Sequence, residues 1–264
     1  MHTTHSDGTY SPAQVIELSR LSGLIALAIT DHDTVSGIAP ARLVAGSSLE
    51  IVPAVEISAE FLGREFHLLG YFIRMDDAQL LAGLKRLCEE RTGRFWDMVE
   101  RLRSSGIAID EDELREHRGV EVLGRRHLAD VLVKSGCAGS VREAFDRYLS
   151  DDGRVVVPKV RLPVAEAIRL VRGAGGVASW AHPSYDCTEE NLATLRDLGM
   201  EAVEVSHPGR RPGRERQLRS IVAGLGLSVT GGSDCHGPEP ARRALGARSV
   251  SRAELELLRQ KAAG

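Results

Sequence analysis

Leu24-Ile25-Ala26-Leu27-Ala28-Ile29-Thr30-Asp31-His32-Asp33 carries six apolar residues and then, after a single threonine, three ionisable ones. An unbroken apolar run of this length is the pattern of a parallel strand buried on both faces. The change of character places Asp31, His32 and Asp33 at the carboxyl end of that strand. On the upstream side, Ser11 is an N-cap for a helix that opens with Pro12 and runs to Leu21, and Gly23 is its stop signal. On the downstream side the sequence predicts a short helix over Ile38 to Ala45. An apolar strand over Ile51 to Val55 then ends at Glu56. Phe66 to Ile73 reads as a further strand, with His67 near its start rather than its end.

Between Asp76 and Asp152 the rhythm changes. Leu80, Leu81, Leu84, Leu87, Phe95, Met98, Val99 and Leu102 recur at helical spacing, and shorter helical patterns follow with no strand among them. The alternation resumes with a helix over Val164 to Arg172 and a strand over Val177 to Ala181 that ends at His182-Pro183. A strand over Ala202 to Val205 ends near His207, and Leu227 to Thr230 ends in Gly231-Gly232-Ser233-Asp234-Cys235-His236. The expected organisation is an α/β unit built from residues 1–75 and 153–264, with a helical insertion over 76–152.

The composition is that of a soluble globular protein: 42% hydrophobic and 27% charged residues leave no room for a disordered or fibrous chain. A net charge of -3 gives no general attraction to nucleic acid. No stretch approaches the roughly 20 apolar residues of a membrane span, and no basic-then-apolar leader is read at the start. The four cysteines are widely spaced and form no CxxC pair, so a reducing cytoplasm is the expected location. Nothing in the pattern calls for a membrane or an obligate protein partner.

In βα barrels the strands point their carboxyl ends at one face, where the chemistry collects. Here Asp31, His32, Glu56, His182, His207, Asp234 and His236 all follow apolar strands, and His2, His5 and Asp7 stand near the beginning of the chain. Taken singly, a histidine is more often a solvated or packed residue than a ligand, and His117 in its polar surroundings is read that way. Asp31 and Asp33 could be helix N-caps, and for Asp33 that reading stands level with the functional one. The group is different: imidazoles and carboxylates gathered at several strand ends repel or lose charge unless cations hold them. Mixed imidazole and carboxylate donors without thiolate suit Mn, Zn or Fe, and a carboxylate between two sets can bridge two ions.

Six segments carry a resemblance to a known family. They are His2-Thr3-Thr4-His5-Ser6-Asp7-Gly8, Thr30-Asp31-His32-Asp33-Thr34, Pro53-Ala54-Val55-Glu56-Ile57-Ser58, His67-Leu68-Leu69-Gly70, Ala181-His182-Pro183 and Gly232-Ser233-Asp234-Cys235-His236-Gly237. Together they resemble the PHP (polymerase and histidinol phosphatase) family, in particular its stand-alone metal-dependent phosphoesterases. The resemblance implies a distorted seven-stranded βα barrel with two to three divalent metal ions, Mn, Zn or Fe. It implies one ion on His2, Glu56 and Asp234, a second on Glu56, His67 and His182, and a third on Asp7, His32 and His236. Asp33 would orient a ligand histidine from behind. Glu56, Asp234 and His182 would carry catalysis, with a hydroxide generated on the ions attacking phosphorus.

Arg125, His127 and His207 resemble substrate-contacting residues, which would make the insertion a substrate cap. The implied substrates are phosphorylated nucleotides or short oligonucleotides, cleaved by a 3',5'-bisphosphonucleotide phosphatase or a 5'-3' exonuclease. A histidinol-phosphate-type phosphatase and a non-catalytic metal-binding domain are the alternatives. One element departs from the family pattern. Its opening strand, ending in Asp-Leu-His-x-His, has no counterpart before Met1, so the first strand and one ligand histidine are expected to be missing.

Overall fold

Strand β1, Ala26–Ile29, forms where the apolar run predicts it and pairs in parallel with β2, Glu50–Phe61, from Ala26 opposite Glu50 to Ile29 opposite Pro53. The computed structural model describes the whole chain except residues 118–119, 151–154, 156, 158–160, 184–186, 239–240 and 264. Helix α1, Pro12–Leu21, opens with a capping box in which Ser11 and Gln14 exchange backbone and side-chain hydrogen bonds. Helix α2, Ile38–Ala45, connects β1 to β2 and packs with α1 over Val15, Ile16, Ile29 and Ala41, all fully buried.

Strand β3, Arg64–Tyr71, runs antiparallel to β2, because the Leu62-Gly63 turn between them is too short for a crossover. This reversal accounts for the early position of His67. In the hairpin Glu56 faces Leu69, so His67 is a diagonal neighbour of Glu56, and the start of β3 lies beside the end of β2. A two-residue strand β4, Leu162–Pro163, pairs with β2 at Ala59 and Glu60. Strand β5, Val177–Trp180, is antiparallel to β3, and β6, Ala202–Ser206, and β7, Ser228–Gly231, follow in parallel.

The result is a seven-stranded mixed sheet in the order β1-β2-β3-β5-β6-β7, with β4 beside β2. It curls without closing. Among the described residues β1 and β7 are not paired with each other, so the expected α/β architecture takes the form of a curled half-barrel sheet. A cavity of about 420 Å³ is lined by Ala26–Ala28 of β1, Val229–Gly231 of β7, Leu69 and Tyr71. At its edge the Thr30 N–H donates to the Met1 carbonyl (2.9 Å) and the His2 N–H donates to the Cys235 carbonyl (3.1 Å). The first two residues therefore bridge the segments that follow β1 and β7.

The chain divides into two compact units, residues 1–85 with 161–264 and residues 86–160. Helix α3, Ala78–Ser104, runs continuously across the first of these boundaries, so the helical unit begins ten residues later than the change in sequence pattern at Asp76. The expected second boundary, at 152/153, lies outside the described residues. The helical unit contains α4, Glu111–Glu116, α5, Arg125–Lys134, and α6, Val141–Ala144, which continues as a π-helical turn over Phe145–Leu149. It has its own core, with Phe95, Val99, Leu102, Leu128 and Leu132 fully buried. No helix among the described residues is long and apolar enough to cross a membrane.

Candidate metal centre

Glu56 stands in the middle of β2, which pairs with β3 as far as Phe61 instead of ending at Glu56 as the apolar run predicts. Its carboxylate is almost completely buried, and each of its oxygens faces imidazole. Oε1 lies 2.7 Å from His67 Nδ1 and 3.1 Å from His182 Nε2, and those two ring nitrogens are 3.1 Å apart. Oε2 lies 3.2 Å from His2 Nε2, which is also 3.2 Å from Asp234 Oδ1. On the other side of the His2 ring, Nδ1 is 3.7 Å from Asp7 Oδ1, and that oxygen is 3.4 Å from His236 Nε2. His32 Nε2 approaches Asp7 Oδ2 at 3.9 Å.

Three groups in this cluster bring their donor atoms within 4.8 Å of one another: His2, Asp7, His32 and His236; His32, Glu56 and His67; His2, Glu56 and Asp234. His2, His32 and Glu56 each belong to two of the groups. All eight residues read as ligands in the sequence come to one place: His2 and Asp7 from the N-terminal loop, Glu56 and His67 from within β2 and β3, and His32, His182, Asp234 and His236 from the segments that follow β1, β5 and β7. The donor set fits divalent transition metals, and the buried ring nitrogens of His2 have no hydrogen-bond partner of their own.

Local backbone explains how the side chains reach inward. His182, Asp234 and Asp33 have φ of 33°, 48° and 55°, in the left-handed region that non-glycine residues rarely occupy. Strain of this kind persists only where the surroundings over-determine it, and here it falls on residues in the segments that follow β5, β7 and β1.

The N-terminal loop is held from below by Asp31, which is fully buried. Its carboxylate accepts from Thr3 N (2.6 Å), Thr3 Oγ1 (2.7 Å) and Ser6 Oγ (2.7 Å), fixing the loop between His2 and Asp7. A side chain at Gly37 would come within 2.3 Å of Asp31 Oδ2, and one at Gly8 within 2.5 Å of the His2 backbone, so glycine is required at both close approaches.

The electrostatics show what replaces cations when none are bound. Burial opposes a charged ring at His2, yet the Asp234 and Glu56 carboxylates beside it raise its pKa to about 10. Burial likewise opposes charge on His182, and Glu56 overcomes it, raising the pKa to about 9. Glu56 would be pushed up by burial, but the His32, His182, His2 and His67 rings hold it well below the usual carboxylate range. Asp234 is held low in the same way, against burial, by His2 and His207. Ring protons therefore supply the positive charge that compensates the buried carboxylates.

Of the remaining sequence candidates, His207 is at the cluster and the insertion residues are in the other unit. His207 is buried, with Nε2 at 3.7 Å from Asp234 Oδ2 and Nδ1 accepting from Gly209 N at 3.2 Å. Arg125 and His127 occupy the first turn of α5. Arg125 donates to the Leu149 carbonyl, and His127 Nδ1 accepts from Gly124 N. Asp33 accepts from Ser58 N (2.7 Å) and Ser58 Oγ (2.9 Å), contacts that tie it to strand β2 next to Glu56. His5 is turned toward Ser36 Oγ at 3.0 Å.

Sequence reasoning missed three residues, and it placed Asp31 at a strand end without its role in holding the N-terminal loop. Glu65 accepts at 2.9 Å from the far nitrogen of His67, and its spacing of two from His67 on a strand was a usable signal. Glu204 interrupts an apolar strand and accepts from the His182 backbone. Arg243 pairs with Asp234 from a short 3-10 turn, and no sequence signal pointed to it.

A mixed α/β sheet whose strand ends gather imidazoles and carboxylates defines a metal-dependent hydrolase site. Comparison with known proteins gives the family. The chain is 31% identical over 249 residues to the 5'-3' exoribonuclease Rnm of Escherichia coli, covering 90% of this chain and 84% of that protein. It is 29% identical over 252 residues to the 3',5'-nucleoside bisphosphate phosphatase of Chromobacterium violaceum, covering 93% and 88%. A solved structure from Bifidobacterium adolescentis, assigned as a metal-dependent phosphoesterase, superimposes with a TM-score of 0.91 at 30% identity over 98% of this chain and 94% of that one. No family model matches the chain. The chain belongs to the PHP family of metal-dependent phosphoesterases.

Asp31→Ala should destabilise the protein by about 2–4 kcal/mol, because it removes an acceptor shared by three bonds and leaves the Thr3 N–H buried without one. Thermal unfolding of the metal-free protein measures this. A midpoint within a degree of wild type would show that Asp31 does not hold the loop.

Proposed function

We propose that the protein hydrolyses phosphate esters of nucleotides or short oligonucleotides, as a 5'-3' exonuclease or a 3',5'-bisphosphonucleotide phosphatase. The observation that carries this reading is the set of overlapping donor groups around Glu56, in a chain similar over nine-tenths of its length to enzymes of both kinds. The residues that would hold the ions are His2, Glu56 and Asp234 for one, Glu56, His67 and His182 for a second, and Asp7, His32 and His236 for a third. Mn, Zn and Fe all suit these donors. When bound, such ions lower the pKa of a water and neutralise phosphoryl oxygens.

The chain's own residues do the rest. Glu56 and Asp234 stay ionised in a buried site, because the rings around them favour the charged form, and His182 stands against Glu56 at the strand end. His207 is positioned to present Nε2–H, since its other ring nitrogen accepts from the Gly209 N–H. Arg125 and His127, in a helical unit that would act as a substrate cap, would bind the phosphate or base of the nucleotide. The forked guanidinium of Arg125 suits two phosphate oxygens.

The cytoplasm is the proposed location. The finer fold reading is a distorted seven-stranded βα barrel, supported by the curl of the sheet and by the cavity lined by β1 and β7.

A screen with Mn present tests the substrate assignment. Incubated with 3',5'-bisphosphonucleotides and with 5'-phosphorylated oligonucleotides of a few residues, the protein should release phosphate or mononucleotide. Turnover of histidinol phosphate alone would overturn the nucleotide reading.

Glu56→Ala and Arg125→Ala separate metal binding from substrate binding. Glu56→Ala should lose most bound metal, and Arg125→Ala should keep it while KM rises roughly tenfold or more. Calorimetric titration of wild type with Mn near pH 7 should show proton release. His2 and His182, held up to about 10 and about 9, are protonated there and must lose those protons to bind a metal. Affinity should therefore rise with pH. Equal metal loss in the two variants would overturn the division of roles.

A further inference from the structure

Glu204 lies outside every donor group of the metal centre, yet it is a carboxylate only 5% exposed in the middle of a fully buried strand. Burying a carboxylate is costly unless it is well bonded, so its contacts indicate what it does. Its Oε2 accepts the backbone N–H of His182 at 2.6 Å. Strands β5 and β6 pair in parallel with Trp180 opposite Val203, which sets Glu204 level with Ala181 and one step short of His182. The carboxylate reaches over that step to meet the amide just where the chain leaves β5.

The backbone it meets is the strained one. His182 has φ of 33°, an unfavourable conformation for a residue with a Cβ, and it leads directly into Pro183. A second tie holds the same corner from the other side: Arg210 Nη2 donates to the Pro183 carbonyl at 3.0 Å and approaches the Glu204 carbonyl at 3.5 Å. The amide of His182 and the carbonyl of Pro183 are thus both tied to β6 or to the segment that follows it. With the corner fixed, His182 Nε2 comes to 3.1 Å from both Glu56 Oε1 and His67 Nδ1.

We infer that Glu204 is a positioning residue for His182: its carboxylate, by accepting the His182 amide, holds the left-handed corner that delivers the ring to Glu56 and His67. The inference rests on the proposed role of His182 as a metal ligand. It assigns to Glu204 the work of an acceptor, for which the charge is not essential. A relaxed corner would let the His182 ring turn away and leave Glu56 and His67 as the only protein donors of that set.

Metal-free wild type, Glu204→Ala and Glu204→Gln should be titrated with Mn by calorimetry, with thermal unfolding of each metal-free protein recorded beside it. Glu204→Gln keeps an amide oxygen as acceptor and should bind within a few-fold of wild type. Glu204→Ala should unfold cooperatively and lose affinity at one site by roughly ten- to hundredfold, the scale on which supports behind metal ligands act. Should Glu204→Ala not fold, Glu204→Asp takes its place: its shorter reach should cost affinity where Glu204→Gln does not. Wild-type affinity in Glu204→Ala, or equal losses in the alanine and glutamine variants, would overturn the inference. Wild type that takes up no Mn would overturn the metal reading itself, and with it this role for Glu204.

Discussion

A single buried carboxylate sets the terms for the rest of this structure. Glu56 stands among the rings of His2, His32, His67 and His182, and a charge in such a place is tolerable only when opposite charge is within reach. In the metal-free protein that charge is carried by ring protons, which is why His2 and His182 hold theirs far above the ordinary range for histidine. Divalent cations would answer the same electrostatic need with a larger charge at fewer points. The protonated cluster and the metal centre are two solutions to one problem, and protons and metals compete for it.

The fold's contribution is to bring distant segments to that carboxylate at defined heights. Parallel pairing of β1 with β2, and of β5, β6 and β7 with one another, brings strand ends to one edge. The β2–β3 hairpin supplies His67 from the opposite direction, through a reversed strand that a regular βα repeat would not contain. Each inward-facing residue then needs its backbone held. Asp31 does this for the loop carrying His2 and Asp7, Ser58 bonds to Asp33 beside Glu56, and Glu204 holds the corner at His182. The supports are themselves buried polar groups, so the site is an extended network whose inner layer would hold metal on the proposed reading and whose outer layer fixes geometry.

The inner layer was readable in the sequence and the outer layer largely was not. His32, Glu56, His182, Asp234 and His236 stood out because each ends an apolar run, and a strand's direction converts that position in sequence into a position in space. His67 could be seen to break the pattern, though only the hairpin register shows why that break brings it to Glu56. Asp31 and Glu204 act through side-chain-to-backbone bonds across 28 and 22 residues of sequence, and no local periodicity encodes such a bond. The alternation of strand and helix patterns was enough for the α/β class, but not for the way the sheet curls. Counting strands does not reveal whether the two edge strands find each other, and here β1 and β7 do not pair among the described residues.

Because His2, His32 and Glu56 each serve two donor groups, the groups cannot change independently. Moving any one of these side chains alters two sets at once, which constrains the centre tightly and leaves little freedom for adapting it to different substrates. What the centre handles is the phosphoryl group, and that group is common to every phosphate ester. Discrimination among nucleotides must therefore come from residues that touch the rest of the molecule and are free to vary without disturbing Glu56. On the proposed reading those are Arg125 and His127, in a unit with its own hydrophobic core, so its surface can be altered without unpacking the sheet. Chemistry fixed by a shared carboxylate, and selectivity carried by a separately folded insertion, is the arrangement these constraints favour.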